Sequence, residues 1–241
     1  MELRGEKPGI ILAADLASTS EAIRVLEDLK EDLYHVKIGP RLFASGGMDF
    51  VHEVIKKGFR VFLDLKLHDI PNTVSSAVDF FSRSGIWALT VHAAGGCSML
   101  EAASRANARA GGEMMLLGVT ILTSLDREEW QTVCPGCLMA EALESRAALC
   151  RECGIDGIVC SPSDLPILVP GFKQDLTMVV PGIRDGHPGD DQKRTASIED
   201  ALNRGADYVV VGRPVLTAPS PGKALKDLAF RLERWKMAND Q

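Results

Sequence analysis

The segment from Asp64 to Thr73 concentrates charged residues that could do chemistry. Asp64 and Lys66 lie two residues apart at the end of an apolar run, and Asp69 follows three residues later. Alternate side chains of a β-strand share a face, so Asp64 and Lys66 should point the same way. An alternating carboxylate and ammonium array is suited to holding a protonated lysine beside a substrate.

A second lysine should join this pair. Lys37 ends the apolar run that precedes the Asp64 segment in the chain, and consecutive strands are usually neighbours in space. A purely structural ion pair between Asp64 and Lys66 is the competing interpretation. Burial of the additional Lys37 cation would be costly without compensation, so the residues favour a functional pocket.

The elements that would position these residues are short apolar runs alternating with amphipathic stretches. Eight such strand candidates and the intervening helices predict a (β/α)8 TIM barrel, formed as one domain over residues 1–241. An open doubly wound sheet is less favoured, because no glycine-rich turn follows the first strand. The predicted strands are 9–15, 34–39, 60–66, 88–92, 114–122, 157–161, 177–181 and 207–212. The predicted helices are 21–29, 49–57, 74–83, 99–110, 139–153, 198–204 and 223–237.

A barrel places its active residues where the strands end, at the carboxyl face. The predicted strand ends are far more polar than the strand bodies, which indicates a charged mouth. A packed, hydrogen-bonded role is favoured over acid–base catalysis for the histidine among them. The residues at these ends are Asp15, Lys37, Asp64, Lys66, His92, Thr123, Ser124, Ser161, Arg184 and Arg213.

The loops after strands seven and eight predict a phosphate site. Arg184 and Arg213 each lie close to a glycine in these loops, and guanidinium groups bind phosphate with paired donors. Barrels often bind phosphate at this position. The hydrophilic stretch 185–194, which contains Gln192, is predicted to form a mobile lid that closes on the substrate.

The segment 64–73, together with Lys37 in Val-Lys-Ile-Gly, closely resembles the orotidine 5′-phosphate decarboxylase family. A core of Asp-x-Lys-x-x-Asp alone is shared with related sugar-phosphate decarboxylases and aldolases. The longer string through Asn72 and Thr73 and the late Arg–Gln–Arg set make the match specific. The resemblance runs along most of the chain and includes Asp15, Thr123 and Ser124 in Leu-Thr-Ser, Pro181 to Arg184, Gln192, and Arg213 in Val-Gly-Arg-Pro.

The resemblance implies loss of CO2 from orotidine 5′-monophosphate to give uridine 5′-monophosphate, the last step of de novo UMP synthesis. It implies that Lys66 protonates the carbon that loses CO2, that Asp64 faces the departing carboxylate, and that Lys37 reaches the ribose. Neither a cofactor nor a metal is expected, so the carbanion would be stabilised electrostatically. A magnesium-dependent sugar-phosphate decarboxylase or aldolase is the alternative within the superfamily, and it predicts loss of activity on chelation.

The resemblance also implies a homodimer with shared sites, in which Asp69 and Thr73 enter the neighbouring subunit's pocket. Asp69 is accordingly counted among the catalytic residues with Lys66, Asp64 and Lys37. The implied contacts are Asp15 with the ribose hydroxyls, and Thr123 and Ser124 with the pyrimidine. The remaining substrate-binding residues are Pro181, Arg184, Gln192, Gly212 and Arg213.

Two C-x-x-C pairs, Cys134 with Cys137 and Cys150 with Cys153, depart from the family's usual pattern. Their spacing resembles a zinc ribbon and suggests an alternative of another class, a zinc-stapled binding module. A helix between the pairs would separate Cys137 from Cys150 by about 20 Å, too far for one shared ion. Packed core cysteines are therefore favoured, with two independent redox pairs as the alternative, and Cys97 and Cys160 are expected to be packed thiols.

The composition of the chain limits the classes of molecule that the protein is expected to bind. Hydrophobic residues make up 46% of the 241 residues and charged residues 25%, as in ordinary globular proteins. A net charge of −6 and a pI near 5.4 provide no basic footprint for nucleic acid or an anionic membrane. No apolar run approaches the ~20 residues that span a bilayer, and no signal peptide is recognised. A cytoplasmic enzyme with reduced cysteines is expected.

Overall fold

A computed structural model describes residues 9–184 and 196–239. Eight parallel strands pair in chain order, and β8 closes the barrel against β1. The predicted (β/α)8 barrel is therefore confirmed. The strands are β1 Gly9–Ala13, β2 His35–Ile38, β3 Arg60–Leu67, β4 Ala88–His92, β5 Met115–Val119, β6 Gly157–Val159, β7 Thr177–Pro181 and β8 Tyr208–Val211.

The helices surround the strands, and a 3-10 turn at Ala93–Gly95 follows β4. They are α1 Thr19–Leu29, α2 Pro40–Lys56, α3 Pro71–Ser82, α4 Gly96–Arg109, α5 Arg127–Val133, α6 Met139–Glu152, α7 Leu165–Phe172, α8 Ile198–Asn203, α9 Arg213–Leu216 and α10 Pro221–Asn239. Among the helices of the described ranges, the structure shows no membrane-spanning candidate.

The helix predictions missed α5, α7 and α9 and found only part of α2. The prediction at 49–57 captured only the second part of α2, which starts at Pro40 and is interrupted at Gly47, where φ is +54°. α7 carries Pro170 in its interior, a residue that normally interrupts a helix. α5 has only seven residues, yet Asp126 and Glu129 form a capping box that marks its start.

Two apolar layers hold the strands in place. Inside the barrel, Phe62 and Tyr208 belong to one buried cluster, and the rings of Trp87, Tyr208 and His35 contact one another. Outward-facing residues such as Leu63 belong to a second cluster between the strands and the helices. The alternation of inward and outward side chains along β3 thus directs its even-numbered residues toward the barrel axis.

β3 is irregular at the point where it carries the charged residues. Leu63 pairs with Leu89 and Leu67 pairs with Val91, so β3 spans four residues where β4 spans two. Within this bulge Lys66 adopts a φ of +51°, a left-handed conformation that is rare outside glycine. Bulges and strained backbone residues re-aim side chains at functional sites, which makes this irregularity a marker of the site.

Candidate active site at the mouth of the barrel

A pocket opens at the carboxyl ends of the strands. Strand and loop residues from around the barrel contribute to its wall, as the sequence predicted for a barrel mouth. The predicted site residues that line it are Asp15, Lys37, Asp64, Lys66, Thr123, Pro181, Arg184, Gly212 and Arg213.

Asp64 joins the two lysines at the centre of the pocket. Its Oδ1 atom lies 2.9 Å from Nζ of Lys66, and its Oδ2 atom lies 3.4 Å from Nζ of Lys37. Lys37 also approaches Asp15, with 3.7 Å between Nζ and Oδ1. Two carboxylates and two ammonium groups therefore form a continuous array across the mouth, as the Asp64–Lys66 spacing and the position of Lys37 predicted.

The Asp64 carboxylate is the buried member of this array, with 9% of the residue exposed. Burial alone would raise the pKa of Asp64, and it is the largest single influence on it. The Lys37 and Lys66 charges and the hydrogen bonds from Lys66 and Thr90 together outweigh burial and hold the pKa of Asp64 below its usual value. Asp64 is therefore ionised at neutral pH and fixes both lysines in place.

Thr90 on β4 supports the array and was not identified from the sequence. Its hydroxyl donates to Oδ1 of Asp64 over 3.0 Å and accepts from the backbone N–H of Lys66 over 2.8 Å. The fully buried threonine therefore anchors both the carboxylate and the strained backbone of Lys66. Its position in β4 could have identified it, because Thr90 lies two residues before His92 and therefore shares the inward face of that strand.

An apolar wall faces the charged array. This part of the pocket was also missed, because buried strand residues look alike in sequence whether they line a pocket or fill the core. Such a surface suits the planar face of a nucleobase and excludes water from the charges. The apolar lining residues are Ala13, Phe62, Val119, Ile121, Leu122, Val159 and Val210.

The two arginines predicted for a phosphate reach the same pocket from the loops after the neighbouring strands β7 and β8. Arg184 follows β7 and donates from Nη1 to the carbonyl of Ile183 over 2.9 Å. Arg213 begins α9 directly after Gly212. Gly182, with a φ of +89°, adopts a turn that favours glycine beside Arg184. Gln192 and the predicted lid at 185–194 lie outside the described residues.

Three predicted site residues do not line the pocket of their own chain. Asp69 and Thr73 are exposed on the β3–α3 connection and the first turn of α3, and Oδ1 of Asp69 accepts from the backbone N–H of Ile70 over 2.6 Å. Ser124 is exposed after β5, one residue beyond the pocket-lining Thr123. Their position leaves Asp69 and Thr73 accessible to another molecule.

His92, at the end of β4, and Ser161, two residues after the end of β6, do not line the pocket either. Burial, followed by the charges of His68, Arg146 and Lys66, lowers the pKa of His92 to about 4, so its ring is neutral at pH 7. Its Nδ1 accepts from the backbone N–H of Ala94 over 3.2 Å, and its ring stacks on His68. These contacts match a packed histidine. Ser161 is fully buried, and its backbone N–H donates to Asp164.

The cysteines differ from expectation at one position. Cys97 was expected to be packed, but it is exposed in the first turn of α4, and its Sγ lies 3.2 Å from Sγ of Cys153. The C-x-x-C pair of α6 is thus divided, since Cys150 is buried against Gly118 while Cys153 meets α4. Within residues 9–184 and 196–239, the one group of three close metal-ligand atoms is Cys97, Glu101 and Cys153, not the two C-x-x-C pairs together.

Comparisons with known proteins agree with this geometry. Residues 8–228 match the model of the "Orotidine 5'-phosphate decarboxylase / HUMPS family". Orotidine 5′-phosphate decarboxylases of Saccharophagus degradans and Nitrosospira multiformis are each 39% identical over 228 residues, covering 94% of this chain and 96% and 94% of the relatives. The crystal structure of orotidine 5′-phosphate decarboxylase from Lactobacillus acidophilus superimposes with a TM-score of 0.80 at 31% identity, covering 94% of this chain and 99% of that one.

Proposed function

The chain belongs to the orotidine 5′-phosphate decarboxylase family, and from this premise we infer that it converts orotidine 5′-monophosphate to uridine 5′-monophosphate and CO2. It is a carbon–carbon lyase of pyrimidine biosynthesis. The family description also covers a second group, but the curated relatives at 39% identity are named for the decarboxylase.

The observation that carries the mechanism is the position of Asp64 between Lys37 and Lys66, with N–O distances of 3.4 and 2.9 Å. An ionised, buried carboxylate with two ammonium groups is a set of charges that is fixed before substrate arrives. Charges held in a partly dry site stabilise a developing anion without the cost of reorganising solvent. This supports decarboxylation through electrostatic stabilisation by the chain's own residues.

The proposed reaction breaks the bond between the pyrimidine ring carbon and its carboxylate. The electron pair of that bond stays on the ring carbon, and the carboxyl group leaves as CO2. Lys66 then donates a proton from its Nζ ammonium to the ring carbon, forming the C–H bond of the product. The neutral amine regains a proton from solvent, for which a partly exposed side chain is suited, and 35% of the Lys66 side chain is exposed.

The other pocket residues can be assigned to the parts of the substrate that they would contact. We assign the phosphate to Arg184 and Arg213, whose guanidinium groups can each offer paired donors to an anion. Asp15 and Lys37 would hold the ribose hydroxyls, and Thr123 with Ser124 would bind the pyrimidine against the apolar wall. Pro181, Gly212 and Gln192 complete the proposed substrate-binding set. Binding energy at the phosphate can then be used to organise the reacting end.

We propose that the active form is a homodimer with shared sites. Asp69 and Thr73 are exposed beside the mouth but do not line the pocket of their own chain. Ile70 and Phe80, on or beside α3, leave 67% and 55% of their surfaces exposed, which supplies apolar area for a contact between subunits. In this arrangement Asp69 extends the charged array of the neighbouring pocket.

We also propose that residues 1–241 act as one barrel domain in the cytoplasm. The family model spans nearly all of the barrel, and the substrate is a charged nucleotide that does not cross membranes unaided. Cell fractionation with an antibody against the chain would test the location.

A direct ultraviolet assay tests the proposed activity. Purified protein should convert orotidine 5′-monophosphate to uridine 5′-monophosphate at the same rate before and after treatment with a metal chelator. A rate lost on chelation and restored by Mg2+ would instead support the magnesium-dependent sugar-phosphate enzyme, as would turnover of a sugar phosphate with none of the nucleotide.

A further inference from the structure

We propose that Cys97, Glu101 and Cys153 form a binding site for a divalent cation of Zn2+ type between α4 and α6. Cys97 and Glu101 lie one helical turn apart on α4, and Cys153 follows the last residue of α6. One ligand atom from each residue lies within 4.8 Å of the other two. None of the three lines the pocket at the barrel mouth, so this site is separate from the decarboxylase centre.

The distances suit a tetrahedral ion. Zn2+ with sulfur ligands at about 2.3 Å and an oxygen at about 2.0 Å requires sulfurs about 3.8 Å apart and sulfur–oxygen distances of about 3.5 Å. The sulfurs of Cys97 and Cys153 are 3.2 Å apart, and Sγ of Cys97 lies 3.4 Å from Oε1 of Glu101. The sulfurs need to separate by about 0.6 Å, and the Cys153 sulfur and the Glu101 carboxylate, which lie within 4.8 Å of each other, need to approach by no more than about 1.3 Å.

The ligands are held in position by the surrounding contacts. The other carboxylate oxygen of Glu101, Oε2, accepts from Nη1 of Arg105 over 3.0 Å, which leaves Oε1 directed at Cys97. Next to the site, the hydroxyl of Ser104 donates to the carbonyl of Gly154 over 3.1 Å and joins the same two segments. A site whose ligands are already oriented binds a metal with less loss of conformational entropy.

The charges and the ligand types select the ion class. Two thiolates and a carboxylate supply three negative charges, and the carboxyl end of α6 adds a partial negative charge at Cys153. Thiolate ligands favour Zn2+ over Mg2+ or Ca2+, which prefer oxygen ligands throughout. Three protein ligands leave the fourth position for water, and the exposed Cys97 gives the ion access from solvent.

The test measures metal binding directly and does not depend on catalysis. A Cys134→Ser/Cys137→Ser background removes the other C-x-x-C pair, in which Cys137 is exposed and Cys134 is partly buried. The metal-free, reduced protein is titrated with Zn2+ against a chromophoric chelator, and with Co2+ to detect thiolate-to-metal absorption in the near ultraviolet. We expect one Zn2+ per chain and a Co2+ spectrum with thiolate character.

Single changes in the same background locate the ligands. Cys97→Ser and Glu101→Gln should each weaken Zn2+ binding by about 100-fold or more, since loss of even a supporting residue costs 10- to 100-fold. Glu144→Gln is the matched control, because it makes the same carboxylate-to-amide change at an exposed position of α6 that is neither a ligand nor the partner of one, and it should leave Zn2+ affinity unchanged. Far-ultraviolet circular dichroism verifies that each variant is folded.

Several results would overturn the proposal. The proposal is wrong if the background protein does not hold Zn2+ at micromolar concentrations, including the case in which binding by the wild-type protein disappears when Cys134 and Cys137 are replaced. It is also wrong if Cys97→Ser binds Zn2+ as tightly as the background protein. Isolation of a Cys97–Cys153 disulfide from a protein that binds no Zn2+ after reduction would assign the pair to redox chemistry instead.

Discussion

Replacing Asp64 by asparagine should destabilise the barrel and slow the reaction together. The substitution preserves the side-chain shape but removes the charge between Lys37 and Lys66. At an effective dielectric constant of about 20, the attractions at 2.9 and 3.4 Å amount to roughly 6 and 5 kcal/mol before desolvation. Carboxylate desolvation offsets much of this, so we expect a net loss of about 3 kcal/mol, as when one partner of a buried pair is removed.

Urea unfolding at pH 7 measures this loss, and the ultraviolet assay measures turnover. If the transition state loses the same stabilisation because Lys66 is no longer held in place, turnover falls on the order of 100-fold. Asp79→Asn is the matched control, because it breaks an exposed pair with Arg83 at the end of α3 and should leave the free energy of unfolding almost unchanged.

The pH dependence gives a second measure of the same charge. The pKa of Asp64 is lowered on folding, so its stabilising contribution is complete above about pH 3.8, its value in the unfolded chain, and is lost as the pH falls through the folded value. The stability difference between the wild-type protein and Asp64→Asn should shrink over that acidic range. A difference below about 1 kcal/mol at pH 7 with normal turnover would refute the reasoning that Asp64 organises the lysines.

Three further predictions concern the phosphate, the subunit contact and His92. Arg213→Ala should raise KM about tenfold or more through loss of a charged hydrogen bond, and an unchanged KM in steady-state assays would remove its phosphate role. Mixing inactive Asp69→Ala and Lys66→Ala proteins should restore part of the activity, whereas no recovery in verified mixed dimers would indicate self-contained sites. The pKa of His92 falls from 6.5 to about 4 on folding, so the unfolded chain binds a proton more readily than the folded protein does. As the pH is lowered from 6.5 to about 4, the protein should therefore lose about 2 kcal/mol of stability, after allowance for the partial exposure of His92. Urea unfolding of His92→Asn should show a smaller loss over the same range.

The sequence was sufficient to predict the barrel and the main charged residues for a physical reason. Strands buried on both faces produce continuous apolar runs, and the polar residues at their ends stand out against them. Asp64 and Lys66 were expected to meet because alternate residues share a face, and they do meet at 2.9 Å. The actual backbone reaches that contact through a bulge and a positive φ at Lys66, which alternation alone does not encode.

The remaining features depend on contacts between distant parts of the chain. Thr90 meets Asp64 from 26 residues away, and Cys97 meets Cys153 from 56 residues away. Local spacing directed attention to the C-x-x-C pairs, while the tertiary packing of α4 against α6 brought a different pair together. α7 was missed for the opposite reason, because Pro170 is a local signal against a helix that tertiary packing overrides.

The most direct test of the central claim is the turnover of orotidine 5′-monophosphate by Lys66→Ala, measured beside its affinity for uridine 5′-monophosphate. Loss of both the proton donor and its charge should reduce turnover by about 10⁴-fold or more, while product affinity changes by less than about tenfold. Lys57→Ala, which alters an exposed pair with Glu27, should retain full activity. A folded Lys66→Ala protein that still decarboxylates the nucleotide at near-normal rate would contradict the account.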